Sequence, residues 1–192
     1  MEIRDTELPG VYLVVPTRME DSRGFFARTW CRDAFAERGL STAWIQSSVS
    51  YNRRAGTLRG MHYQAAPAEE TKLVRCTQGA VYDVVVDLRP GLATYGSWIA
   101  VELSATNRHA LYIPGGVAHG FQTLCDETEV FYEIDTRYSA DVQRGVRWDD
   151  PTLRIRWPDC GERTIAERDR TFPEWRPSST AKGTSATTGS SR

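Results

Sequence analysis

The sequence predicts an all-β sandwich or barrel with few short helices, on three observations. β-Branched and aromatic side chains recur in short runs, Gly, Pro, Asn and Asp separate those runs, and stretches with helical periodicity are scarce. The expected strands begin with Val11 to Val15, closed by Pro16, and Phe25 to Trp30, which follows the turn-forming Asp21-Ser22-Arg23-Gly24. Next come Trp44 to Tyr51, then Thr57 to Gln64 behind Gly56, and Lys72 to Gln78, stopped by Gly79. Ala80 to Leu88 is a nearly continuous apolar run, and Trp98 to Leu103 and His109 to Ile113 follow, the latter ended by Pro114. Gly120 to Leu124 and Val130 to Tyr138 complete the set. One helix is expected over Arg32 to Arg38, with Asp33 as its cap and Gly39 as its terminator, and a helical turn near Ala166 to Asp169.

Composition bounds the function. The chain has 192 residues, 40% hydrophobic and 26% charged, enough for one substantial core, so a single domain over residues 1–176 is expected. From Pro177 to Arg192 the sequence is mostly Ser, Thr, Ala and Gly with no large apolar side chain, and a disordered tail is expected there. Lys plus Arg number 24 and Asp plus Glu 25, a net charge of −1 that favours neither nucleic acid nor an anionic membrane as partner. The longest apolar stretch, Val81 to Leu88, is broken by Asp83 and Asp87 and is far shorter than the roughly 20 residues of a membrane-spanning helix. The start, Met1-Glu2-Ile3-Arg4-Asp5, lacks the pattern of a secretory signal, so a cytoplasmic protein is expected. The 4 cysteines are scattered without C-x-x-C spacing, which fits free thiols better than a disulfide framework or a zinc knuckle.

Alternation along a strand assigns side chains to faces. Lys72 shares a face with Val74 and Cys76, and Tyr132 with Val130 and Ile134, so an ammonium and a phenol each ride on an apolar face and need a polar partner or a ligand there. Strict alternation puts His62 with Leu58, Gly60 and Gln64, and Arg59 opposite. For Arg59 and His62 to serve one pocket, a bulge at Gly60 or a subunit boundary must bring them together. The plain structural reading of His62 and His119 is a core imidazole bonded to a carbonyl, and that of Lys72 and Arg75 a solvated strand face. Asp83, Asp87, Arg89, Asp149 and Asp150 read as turn formers, strand-end charges or ion pairs.

Seven stretches in order carry a more specific signal: Asp21 to Phe26, Gln46 to Ser50, Leu58-Arg59-Gly60-Met61-His62-Tyr63-Gln64, Lys72-Leu73-Val74-Arg75, Val84 to Arg89, Pro114 to Phe121, and Trp148-Asp149-Asp150-Pro151. Together they resemble the dTDP-4-dehydrorhamnose 3,5-epimerase family from about residue 3 to 173. The resemblance implies a cupin-type antiparallel jelly roll, usually a homodimer, acting without metal or organic cofactor on a nucleoside-diphosphate 4-keto-6-deoxy sugar. It makes His62 the base, Asp169 its carboxylate partner, Lys72 the cation facing an enolate oxygen and Tyr132 the acid on the opposite face of the sugar. It makes Arg59 a diphosphate ligand. Arg23 and Phe26 fall where the family reaches a nucleotide held by a partner subunit, Gln46 and His119 where it lines the sugar and phosphate cleft, and Tyr138 near the nucleobase. At two positions this sequence departs from the commoner pattern, with Arg28 for a glutamate and Ser48 for an asparagine. The first swaps an acceptor for a donor beside the base, so thymidine recognition follows less directly than epimerase chemistry.

Three other readings stay open on sequence alone. The first is a mono-epimerase, or an epimerase using another nucleotide, which the same four residues would serve. The second is a metal-dependent cupin enzyme with His62 and His119 among its ligands, although Gln64 rather than His stands two residues after His62 and the chain has only 3 histidines. The third is a non-catalytic sugar-nucleotide-binding module.

Overall fold

A computed structural model describes residues 1–177, so of the expected tail only Pro177 lies within the described residues. The strands are β1 (Glu2–Asp5), β2 (Tyr12–Val15), β3 (Arg18–Asp21), β4 (Gly24–Ala27), β5 (Gln46–Asn52), β6 (Thr57–Gln64), β7 (Lys72–Gln78), β8 (Ala80–Asp87), β9 (Trp98–Ser104), β10 (Ala110–Ile113), β11 (Val117–Thr123), β12 (Thr128–Ile134), β13 (Gln143–Gly145) and β14 (Thr164–Ile165). Helices α1 (Arg32–Ala36) and α2 (Glu167–Arg170) are one turn or little more. One sheet runs β1-β2-β10-β7-β12-β5 and faces a second, β13-β6-β11-β8-β9, while β3 and β4 form a separate hairpin arm. Pairing is antiparallel except where β14 lies parallel to β6, so the expected antiparallel jelly roll is the fold.

Three apolar clusters explain the strand patterns. Val74, Cys76, Val85, Leu111, Phe121 and Val130 meet between the sheets. Leu73 and Tyr112 point the other way, under Phe35 of α1 and the flanking Trp30 and Trp44. Val84, Val86, Ala118 and Met61 face the outer side of the second sheet, where Leu153, Trp157 and Trp175 cover them. Strand β8 is therefore buried on both faces, which is why its sequence is a run of valines rather than an alternation.

The structure corrects several boundaries. Phe25 to Trp30 stops at Ala27, freeing Trp30 to pack on Phe35, and the last expected strand runs Thr128–Ile134. Strand β11 starts at Val117, ahead of Gly120, as soon as the positive φ of Gly116 (77°) has turned the chain. Cys31, not Asp33, occupies the N-cap of α1, and no side chain bonds that end. Gly39 does terminate it, with φ 68° and its N–H on the Ala36 carbonyl at 2.9 Å. Strands β1, β3, β13 and β14 escape a reading by apolar runs because they are short and mostly exposed.

Local packing decides which face carries the cleft. In the β6–β11 ladder His62 pairs with His119 and Arg59 with Phe121, three steps on β6 against two on β11. This is the bulge that strict alternation lacked, and it moves Arg59 onto the face of His62. Two glycines permit it. A Cβ on Gly60, whose φ is 142°, would lie 2.6 Å from the Gly120 Cα, and one on Gly120 would lie 2.7 Å from Met61 Sδ and 2.8 Å from the Arg59 carbonyl. Gly120→Ala should therefore destabilise the protein by about 1–3 kcal/mol or more through overpacking against backbone. Denaturant unfolding should place exposed Ser47→Ala within about 0.5 kcal/mol of the parent. A Gly120→Ala protein as stable as the parent would contradict this account of the bulge.

Candidate active site

A cleft of about 330 Å³ opens between the two sheets. Strand β6 contributes Arg59 and His62, β11 His119, β7 Lys72, β12 Tyr132 and β5 Ser48, with Tyr138, Gln143 and Arg168 at its mouth.

The short strand β14 delivers the partner of His62. It pairs Ile165 with Leu58 on β6, and the chain then turns at Ala166, whose carbonyl accepts the N–H groups of Asp169 and Arg170 at 2.9 and 3.1 Å. The turn sets Asp169, 2% exposed, over the bulge. One carboxylate oxygen lies 2.8 Å from His62 Nε2, and the other accepts the Gly60 N–H at 3.1 Å. Burial alone would raise this carboxyl. The hydrogen bond and charge of His62, the Gly60 N–H and the Arg168 guanidinium outweigh it and hold Asp169 below the ordinary carboxylate range. An ionised carboxylate only accepts, so His62 carries its proton on Nε2 and keeps the Nδ1 lone pair for a base's work.

Lys72 is 7% exposed, not on a solvated face, and its Nζ meets Glu70 at 2.8 Å. Tyr132 stands on the opposite sheet from His62. Burial, and then the nearby Asp83 carboxylate, push its phenol well above the ordinary range, against the Arg59 guanidinium and the Ser50 hydroxyl. The group is thereby kept protonated, as an acid must be. His119 Nε2 pairs with Asp83 at 2.9 Å, and Asp83 is wholly buried with its second oxygen unpartnered. Arg59 holds Asn52 through Nε at 2.8 Å, leaving the end of its guanidinium toward the cleft. Gln46 accepts the Tyr138 N–H at 3.0 Å.

The remaining expected residues stand elsewhere in the protomer. Arg23 lies on the β3–β4 arm with its side chain 87% exposed, bonded to Asp21, and Phe26 is 65% exposed. Arg28 sits beside Cys31 near a separate apolar hollow at the arm's base. Arg75 points away from the cleft, over Phe131 and toward Glu133. His62 and His119 are bonded to different carboxylates, and among the described residues no three of His, Cys, Asp or Glu gather as a metal-ligand set.

Sequence reasoning missed Glu70, Gln143 and Arg168. Arg168 directly precedes Asp169 and had a signal in that adjacency. Its guanidinium approaches His62 Nε2 at 3.5 Å and donates to the Gln143 side-chain oxygen Oε1 at 3.2 Å, which also accepts the Tyr138 hydroxyl at 2.7 Å. Gln143 carried no signal, because a three-residue strand places it.

The depressed carboxyl of Asp169 has a pH consequence. Its contribution to stability is present above the ordinary carboxylate value of 3.8 and is lost as pH falls through its lower folded value. The gap in melting temperature between the parent and Asp169→Asn should therefore narrow as pH falls from about 5 to about 3. A gap that stays constant across that range would contradict it.

Comparison with known proteins supplies the wider frame. A sequence model described as dTDP-4-dehydrorhamnose 3,5-epimerase matches residues 5–177. The protein of that description from Shigella flexneri is 42% identical over 159 residues, covering 82% of this chain and 87% of its own length. The Bacillus anthracis dTDP-4-dehydrorhamnose 3,5-epimerase, solved with TDP and PPi bound, superposes with a TM-score of 0.87 at 39% identity, covering 91% of this chain and 99% of that one. A 3'-monoepimerase from Streptomyces bikiniensis, solved with dTDP-quinovose, gives 0.84 at 31% identity over 89% and 86% of the two chains.

Proposed function

The chain belongs to the dTDP-4-dehydrorhamnose 3,5-epimerase family, and we propose from that premise that it inverts carbon 3, carbon 5 or both of a nucleoside-diphosphate 4-keto-6-deoxy sugar in deoxysugar biosynthesis, with dTDP-4-dehydro-6-deoxyglucose as substrate. The observation that carries the reading is the cleft that holds the His62–Asp169 pair on one sheet and a protonated Tyr132 on the other.

The 4-keto group makes the hydrogens on carbons 3 and 5 removable, because the electron pair left on carbon spreads onto the ketone oxygen. His62 Nδ1 takes the proton, and Asp169 stabilises the imidazolium that forms. The enolate oxygen faces the Lys72 ammonium, which Glu70 holds in place at 2.8 Å. Tyr132 returns a proton to the other face, which inverts the centre, and phenolate and imidazolium exchange with solvent before the next turnover. Arg59, with Gln46 and His119 along the cleft, grips the diphosphate and sugar, while Tyr138 and Ser48 lie toward the base.

The functional unit is a homodimer, with the β3–β4 arm laid on the neighbour. The support is an arm that exposes Met19 and Phe26 and holds Arg23 outside its own cleft. Residues 1–176 form one domain, consistent with the shared core of the two sheets. A cytoplasmic setting agrees with the 4 free thiols. No helix among the described residues is long and apolar enough to cross a membrane. Likeness to a 3'-monoepimerase keeps single-centre inversion as the second reading, and the number of carbons labelled from heavy water separates the two.

His62→Ala should abolish exchange and turnover, a loss of about 10² to 10⁴-fold, while nucleotide binding by calorimetry stays near the parent's. Tyr132→Phe should let solvent deuterium enter the substrate while product formation falls steeply, because a proton returned by His62 restores the original configuration. Equal loss of both rates in Tyr132→Phe would remove Tyr132 from the acid's role.

A further inference from the structure

The dyad is gripped from a second side by a residue that the chemistry itself does not require. In the β13–β6 ladder Gly145 is the direct partner of His62, so a side chain at 145 would stand beside the imidazole. None is there, and the space is filled from elsewhere in the chain. A Cβ built on Gly145 would fall 2.4 Å from the ring carbons of Phe172. That ring meets the imidazole edge to face, with centroids 5.6 Å apart and planes at 74°. The Arg168 guanidinium covers the same ring at 5.9 Å.

We infer that Phe172 is a positioning residue for the base: seated in the socket left by Gly145, it fixes the plane of the His62 imidazole while Asp169 fixes its tautomer. The inference rests on His62 acting as the base. Asp169 constrains one ring nitrogen, and a single hydrogen bond leaves the imidazole free to swing about it. Helix α2 is only four residues long and cannot hold Asp169 by its own stability. The segment after it supplies the missing rigidity. Thr171 Oγ1 donates to the Glu167 and Arg168 carbonyls at 3.0 and 3.2 Å, closing the turn. Three residues beyond Phe172, the Trp175 N–H donates to buried Asp150 at 2.6 Å, and its indole packs against Tyr95 at 5.1 Å and over Gly96. Phe172 is thus held between two anchored points, with its ring against the base.

A merely structural Phe172 would affect stability alone, and the test separates the two roles. In solvent-deuterium exchange with a dTDP-4-keto-6-deoxy sugar, Phe172→Ala should lower kcat about tenfold with KM within about twofold, because displacement of a reacting group costs rate rather than binding. Phe172→Tyr should recover most of the loss. In proton NMR the Nε2–H signal of the His62–Asp169 bond, protected from water in the parent, should broaden in Phe172→Ala and return in Phe172→Tyr. Parent-like kcat and a parent-like Nε2–H signal in Phe172→Ala, even with a lower melting temperature, would overturn the inference. His62→Ala run alongside keeps the two claims apart: if it still exchanges, the base assignment fails and the inference falls with it, whereas an inactive His62→Ala beside a parent-like Phe172→Ala overturns the inference alone.

Discussion

The approach of two glycine backbones, Gly60 on β6 and Gly120 on β11, is the constraint on which the site depends. A regular ladder would point Arg59 and His62 to opposite faces of the sheet. With no Cβ at either position, β6 gains a residue against β11, and Arg59 and His62 come to share a cleft. The same bulge presents the Gly60 N–H to a partner outside the ladder, and Asp169 takes it. One irregularity therefore sets the side-chain direction of Arg59 and His62 and docks the carboxylate that is bonded to His62. Such bulges recur where a sheet must aim side chains at a ligand.

Around this point the charges are arranged in pairs on the two walls. Asp169 serves His62, Asp83 serves His119 and Glu70 serves Lys72, each partner at 2.8 or 2.9 Å. Buried charge is costly without a partner, so pairing is what allows a core-lining cleft to keep these groups at all. The pairs differ in consequence. Asp169 fixes a tautomer, whereas Asp83 also acts at a distance, and together with burial it keeps the Tyr132 phenol from ionising. That asymmetry is what the proposed mechanism uses, with a base on one wall and an acid on the other.

Much of the fold was legible because burial writes itself into composition. The valines of β8 read as a strand covered on both faces, and outer layers on each sheet supply that cover. Alternation with Val74 and Val130 puts Lys72 and Tyr132 on an apolar face where each needs a polar partner or a ligand, and both line the cleft. Alternation failed at Arg59, where the bulge reverses parity, although the glycine that makes the bulge was visible. Elements shaped by docking rather than by apolar pattern left no such trace. Strand β14 is two residues long, yet it places Asp169, and β13 places both Gln143 and the Gly145 socket. Asp169 itself was reached through family resemblance, since nothing in local sequence ties it to a histidine 107 residues away.

In the proposed mechanism one cleft presents His62 and Tyr132 to opposite faces of one sugar while Arg59 holds its diphosphate. A crystal structure of the protein with a dTDP-4-keto-6-deoxy sugar tests this directly. The account predicts His62 Nδ1 against carbon 3 or carbon 5 on one face, the Tyr132 hydroxyl on the other, and the Arg59 guanidinium on the phosphates. A sugar bound with both groups on the same face, or with its diphosphate away from Arg59, would contradict it.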